Sequence, residues 1–302
     1  IVVHANKGLD YKLCLTQGER YPCKTLKYAL ENGVQSLHTI YITGNSDRYK
    51  YCSKLHSKIR VQPLGKIVKL IGINNVRYMC SFSFVGDGRK LGTLLVVSNI
   101  TFINTKISLC GVSIIFKQIL FFNVDLNDIC HDSPLQLYVT LIRILWMHSG
   151  NEVKPNCIRI SQSKIMHLLI IKTVCMKTSI HVRCDNCSLK LYNIIVYNSL
   201  INMTSVFQLK KDTHWQTKWT TGARITRNML VIDAVKVISS IKDFRKTFLS
   251  SDLNNIDIEI LNSKFILVSH PVKIITMHPD SVFTFYLFSL KITNSTFVKC
   301  TG

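Results

Sequence analysis

The chain has 302 residues, 47% of them hydrophobic, and carries 38 Lys and Arg against 17 Asp and Glu, a formal net charge of +21. That apolar content excludes a disordered chain, and the length suffices for a large core or an extended repeat array. The charge makes an anion the expected partner for any ligand drawn in by long-range electrostatics.

The chain opens on IVVHANKG, with no basic n-region and no apolar h-region, as expected where a signal peptide has already been removed. CKTLKYALENG, residues 23–33, then reads as a helix. Thr25 can cap its start after Pro22, Leu26, Ala29 and Leu30 fall on one face, and Gly33 ends it. From there on the apolar segments are short. Even VSIIFKQILFF at 112–122 is broken by Lys117 and is too brief for a membrane helix, so no membrane insertion is expected.

Apolar hexads with polar ends recur: NITFIN at 99, QILFFN at 118, RILWMH at 143, HLLIIK at 167, NIIVYN at 193, NMLVID at 228, DIEILN at 257 and NSTFVK at 294. Their starts lie 19, 25, 24, 26, 35, 29 and 37 residues apart, with TIYITG at 39 and KIVKLIG at 66 as earlier members. Each reads as a short strand followed by a bend, where Asn tolerates left-handed backbone geometry and can hydrogen-bond along a stack. One strand repeated per rung predicts a parallel β-helix. A β-sandwich would carry more hairpin dipeptides than Asn32-Gly33 and Asp87-Gly88. The helix before the first rung is suited to cover an open end whose unpaired strands would otherwise aggregate.

Eleven cysteines are spread through the chain without zinc-site clustering: Cys14, Cys23, Cys52, Cys80, Cys110, Cys130, Cys157, Cys175, Cys184, Cys187 and Cys300. The first ten are disulfide candidates. Cys184-Asp-Asn-Cys187 has CxxC spacing but no second pair, and reads as a disulfide or two buried thiols rather than a metal or redox site. Because the number is odd, at least one thiol is free, bonds another molecule, or has its partner beyond Gly302. The closing NSTFVKCTG resembles the start of another unit, as in a segment of a longer chain. Sequons at Asn99, Asn186, Asn202 and Asn294, taken with the cysteines, point to a secreted, glycosylated, extracellular protein.

The run of IVVHANKG, PCKTLKYALENG and TIYITGN is similar to the opening of the right-handed parallel β-helix proteins of the pectin lyase-like superfamily, in which a TLxxAL helix leads into the first rung. SNITFINT and TNSTFVKC likewise resemble rungs of that superfamily, in particular those of large extracellular β-helix proteins of animals. The resemblance implies an all-β, right-handed parallel β-helix solenoid with an N-terminal capping helix. Residues 1–38 would form the cap and 39–302 the rungs, with a basic, Trp-containing insertion at about 208–228. A fold of this kind does not fix an activity.

Many relatives of that fold cleave acidic polysaccharides, but the paired Asp and Gly-His-Gly of a galacturonan hydrolase are absent, and acids are too sparse for the stacked carboxylates of a calcium-dependent lyase. Asp125, Asp128, His131 and Asp132 in DLNDICHDS form the densest local cluster and read as a polar loop between rungs. His148, His167 and His181 lie beside strands and read as ordinary rung residues. No catalytic residue, metal site or cofactor is expected. The widened interval LKKDTHWQTKWTTGARITRN instead places Lys210, Lys211, Lys218, Arg224 and Arg227 beside Trp215 and Trp219, a combination that attracts anions and stacks on sugar faces. Its bland alternative is a solvated loop folded back on the solenoid. IKDFRKTF at 241–248 adds a second basic stretch.

These readings leave a noncatalytic structural or adhesion protein that presents glycans, assembles with itself or joins other extracellular proteins. A binding module for acidic polysaccharide or glycan is compatible with it. The alternative is a polysaccharide lyase or hydrolase with divergent catalytic residues, which would need a groove of clustered acids. Nucleic acid is disfavoured as the anion by the sequons and cysteines.

Overall fold

The computed structural model describes residues 1–4, 6–33, 39–44, 57–61, 67–86, 94–131, 137–149, 158–163, 166–176, 179–184, 187–197, 200–204, 228–238, 249–251, 255–268, 271–274 and 287–300. The protein is all-β, with long parallel sheets and very little helix.

From the middle of the chain onward, three kinds of strand follow one another: a long strand such as Leu137–Ile142, a short one such as Leu145–Met147, and a third such as Ile158–Ser163. Each pairs in parallel with its equivalent in the next triplet, so that Leu137–Ile142 pairs with Met166–Ile171 and Leu145–Met147 with Val174–Met176. The long and short strands share an 18-stranded sheet, and the third strands line up in a 9-stranded one.

Alternation decides which side chains enter the core. On the long strands Leu141, Ile170, Leu191, Ile232 and Ile260 stand opposite one another in register, each at most 1% exposed. On the short strands the central residues Phe102, Phe121, Trp146, Cys175, Val196, Val237 and Phe265 make a second buried column. Ile107 and Leu126 belong to a third. The sheet thus stacks like on like, which suits Val, Ile, Leu and Phe on a pleated surface.

Between long and short strands the backbone turns through one residue of positive φ, at Asn99, Gln118, Arg143, Lys172, Asn193, Ala234, Asn262 and Asn294. At Gln118, Arg143, Lys172, Asn193, Ala234 and Asn262 the N–H donates to the last carbonyl of the next long strand, as from Arg143 to Ile171 at 3.0 Å and from Lys172 to Tyr192 at 3.0 Å. The ladder therefore continues around the corner, offsetting the roughly 1–2 kcal/mol that left-handed geometry costs a non-glycine residue. A later corner uses Asn104 and Asn123, whose side chains join: Asn123 Nδ2 donates to Asn104 Oδ1 and to Ser149 Oγ, each at 3.0 Å, and Ser149 N–H donates back to Asn123 Oδ1 at 2.9 Å. Asn123→Ala is expected to cost about 2 kcal/mol through lost hydrogen bonds plus backbone strain. Asn123→Gly should recover the strain component alone. Urea denaturation of the three proteins separates the two contributions.

The helix Leu26–Gly33 forms as the sequence predicts. Thr25 Oγ1 accepts from Tyr28 N–H at 3.1 Å, and Leu26, Ala29 and Leu30 are buried. Asp10, remote in sequence, braces its start: the carboxylate accepts from Lys24 N–H, Thr25 N–H and the Thr25 hydroxyl at 2.8, 2.9 and 2.7 Å. A second, short helix, Lys12–Thr16, goes beyond the single helix expected, and a disulfide from its Cys14 to Cys23 ties it to the segment before Thr25. Leu26–Gly33 packs on Ser57–Val61, the first strand of the 9-stranded sheet, and Glu31 Oε1 accepts from the Arg60 N–H at 3.0 Å.

At the other end, Leu287–Thr293 and Thr296–Val298 each have a strand partner on one side only among the described residues. Positions that are sealed in every earlier triplet open here: Ile292, in the column of Ile260, is 45% exposed, and Phe297 is 41% exposed although it stacks on Phe265 with centroids 5.0 Å apart.

Candidate polyanion-binding surface

The same alternation that fills the core sends every second side chain outward, and many of these are cationic. Lys117 ends the long strand Ser113–Lys117 and stands opposite Ile142; Arg143 follows Ile142, and Lys172 follows Ile171 on the next strand. All three are exposed. They climb the sheet one strand at a time, roughly 4.8 Å per step. Lys190 points outward beside Leu169, and Lys236 and Lys264 head consecutive short strands. This row did not stand out in the sequence because its members are 26 and 29 residues apart and become neighbours only through the strand register.

An aromatic platform lies on the same sheet. Tyr138, 46% exposed, stacks on His167 with centroids 5.0 Å apart and an interplanar angle of 16°. Partial burial first, and the nearby Lys190 ammonium second, hold the His167 pKa below its usual value and favour the neutral ring. A neutral imidazole keeps this pair an apolar stacking surface at physiological pH.

The candidate residues of the sequence are distributed unevenly. Asn99 and Asn294 are exposed corner residues, and Asn294 Nδ2 donates to Asn262 Oδ1 at 2.9 Å. Asn202 lies on the strand Leu200–Thr204, and Asn186 falls outside the described residues. So do Lys210, Lys211, Trp215, Lys218, Trp219, Arg224 and Arg227, together with the basic stretch at 241–248.

DLNDICHDS departs from the expected loop: Asp125–His131 is a strand of the 9-stranded sheet, because Leu126 fits the buried column between Ile107 and Ile158. Asp125 is buried at its start, opposite Lys106. His148 is buried beside the Trp146 strand, and His181 lies on the strand Ser179–Cys184. Among the described residues no three His, Cys, Asp or Glu converge as metal ligands would, and no helix is long and apolar enough to cross a membrane.

Of the cysteine candidates, Cys14 and Cys23 bond each other, and Cys80 and Cys110 are also disulfide-bonded. Cys175 is instead a buried thiol, because its column sets it between Trp146 and Val196 rather than beside another cysteine. Cys130 lies opposite Cys110 in the ladder, Cys184 and Cys187 lie on strands, and Cys52 and Cys157 fall outside the described residues. Cys300, half-buried, directs its thiol at the carbonyls of Phe265 and Val298, each at 3.6 Å.

No protein-family model matches this chain, and no curated protein matches it either.

Proposed function

We propose that this chain is a secreted, glycosylated, right-handed parallel β-helix with an N-terminal capping helix, and that it is a noncatalytic structural or adhesion protein whose basic surface holds acidic glycans. The observation that carries this reading is the register of the sheets. Strands pair in parallel with their equivalents three places on, and a strand triplet repeated in this way supports a solenoid. Parallel crossovers are right-handed in nearly all proteins, which supports the right hand.

Asp10, Glu31 and the Cys14–Cys23 disulfide support the capping role of Leu26–Gly33, since they fix the helix against the first strand of one sheet. A rigid rod with Asn99 and Asn294 exposed at its corners suits the display of N-glycans. The net charge of +21 and the row Lys117, Arg143 and Lys172 suit a linear polyanion laid along the rod axis. Tyr138 on the same sheet offers a face on which a sugar ring can stack.

The test is size-exclusion chromatography of acidic and neutral polysaccharides incubated with the full chain at low and physiological salt. An acidic polymer is expected to co-elute at full length and to be released by salt. Lys117→Gln/Arg143→Gln/Lys172→Gln should shift that release to lower salt. A polymer that emerges shortened would make the chain a lyase or hydrolase, and one that never co-elutes would remove the glycan partner.

A further inference from the structure

The outward side of the short strands breaks the pattern of a water-facing sheet, which alternates apolar inside with polar outside. Their first residues align across four successive strands as Leu120, Leu145, Val174 and Ile195. The third residues align beside them as Phe122, Met147 and Met176. Because the residues between these rows, Phe121 and Trp146 among them, are buried, both apolar rows must face outward. Leu145, Met176 and Ile195 are 38%, 37% and 36% exposed. Contiguous exposed apolar surface of this kind marks an interaction site far more often than scattered single residues do.

The strip has charged borders. Exposed Arg143 and Lys172 sit in the corner row along one long edge, flanked there by Gln118 and Asn193. At the C-terminal end of the first-residue row, Lys236 and Lys264 replace the apolar side chains. Among the described residues, neither outward row nor the corner row contains a carboxylate. The closest acid in sequence, Asp233, precedes the corner at Ala234 and accepts from Asn262 Nδ2 at 3.0 Å.

We propose that this strip docks an amphipathic α-helix of a partner protein, with its apolar stripe against Leu145, Val174 and Ile195 and acidic residues along the edge that meets Arg143 and Lys172. Shape selects the helix. The strip is two side chains wide, about 7 Å, and three strand spacings long, about 14 Å, which matches the stripe of one helix and not the plane of a bilayer. The face of a sheet has no free backbone groups to extend, so a strand laid on it would gain no ladder bonds, whereas a helix brings its own satisfied. A helix of about 14 residues, about 21 Å long, covers the strip and reaches Lys236. The proposal rests on the apolar rows and not on the glycan reading, with which it shares Arg143 and Lys172.

The test uses the full chain and a fluorescein-labelled, N-acetylated 14-residue peptide with Leu at i, i+3, i+4 and i+7 and Glu along one flank, titrated by fluorescence anisotropy. A scrambled peptide of identical composition serves as control, and phosphatidylcholine vesicles with and without phosphatidylserine are tested by co-sedimentation. The patterned peptide is expected to bind at least ten-fold more tightly than the scrambled one, and more weakly as salt rises. Leu145→Ser/Ile195→Ser should weaken it at least ten-fold with an unchanged thermal melt and unchanged retention on acidic polysaccharide, because both side chains are partly exposed and neither is charged. Arg143→Gln/Lys172→Gln should flatten the salt dependence. Equal binding of the two peptides, indifference to Leu145→Ser/Ile195→Ser, or binding of phosphatidylserine vesicles in place of the peptide would overturn the proposal.

Discussion

Trp146→Ala is expected to destabilise the protein by about 4 kcal/mol, one of the largest losses available to a single substitution. The indole is 2% exposed in the short-strand column, 5.0 Å from the Phe121 ring, and its Nε1–H donates to the Val124 carbonyl at 3.1 Å. Truncation leaves a cavity next to the largest rings of the core and strips a buried carbonyl of its donor. Trp146→Phe fills most of the volume and loses only the donor, so its cost should lie nearer 1–3 kcal/mol. In an array where each unit touches only its neighbours, the damage stays local. Amide exchange should therefore accelerate most in Leu137–Met147 and the adjoining strands and least near Leu287–Thr293, where Ser289 Oγ donates to Asp257 across the last strand pair at 2.6 Å. A loss under about 1 kcal/mol, or exchange that accelerates uniformly along the chain, would contradict this account of the core.

The column that holds Trp146 also shows what the sequence makes legible. Hexads starting at Asn99, Gln118, Arg143, Asn193 and Asn294 coincide with a corner residue followed by a short strand. Those starting at His167, Asn228 and Asp257 fall instead on the long strand just before, Met166–Ile171, Asn228–Asp233 and Asn255–Leu261. The true equivalents begin at Lys172, Ala234 and Asn262. The period is visible because every unit must bury its apolar face on the next, but its phase is ambiguous where two adjacent strands are both apolar and both end in polar residues. Asn marks the corner only where intrinsic preference agrees with the fold. At Arg143, Lys172 and Ala234 the N–H bond to the neighbouring strand imposes the same left-handed turn on residues that do not favour it.

The third strand of each unit was harder to see. Asp125–His131 looks like a polar loop because its sequence, DLNDICH, is rich in acidic and amide-bearing residues. Its strand character comes from pairing with Lys106–Cys110 and Ile158–Ser163, partners remote in sequence. The outward rows were illegible for the same reason. Arg143 and Lys172 with Lys117 one residue off their row, or Leu120, Leu145, Val174 and Ile195, become surfaces only when parallel register brings one strand of each unit beside the next.

Leu30→Asp is expected to make the chain aggregate through the sheet edge on which Leu26–Gly33 packs. Leu30 is 2% exposed on the face of Leu26–Gly33 that also buries Ala29, and a carboxylate there must lose its hydration with no cation on that face to receive it. Such burial costs several kcal/mol, more than the packing of one short helix returns, so the helix detaches. The Cys14–Cys23 disulfide and Asp10 keep the segment tethered, but Arg60 loses the Glu31 acceptor and the edge of Ser57–Val61 is uncovered. An open parallel edge templates association, and the net charge of +21 opposes it only at short range, since physiological salt screens charges more than about 8 Å apart. Light scattering that grows with protein concentration in Leu30→Asp is the expected signature, stronger at high salt than at low. Lys27→Asp makes a larger charge change on the exposed side of the same helix and should scatter no more than the parent chain. If Leu30→Asp scatters no more than the parent chain and keeps its melt, Leu26–Gly33 is not what closes that end of the sheets.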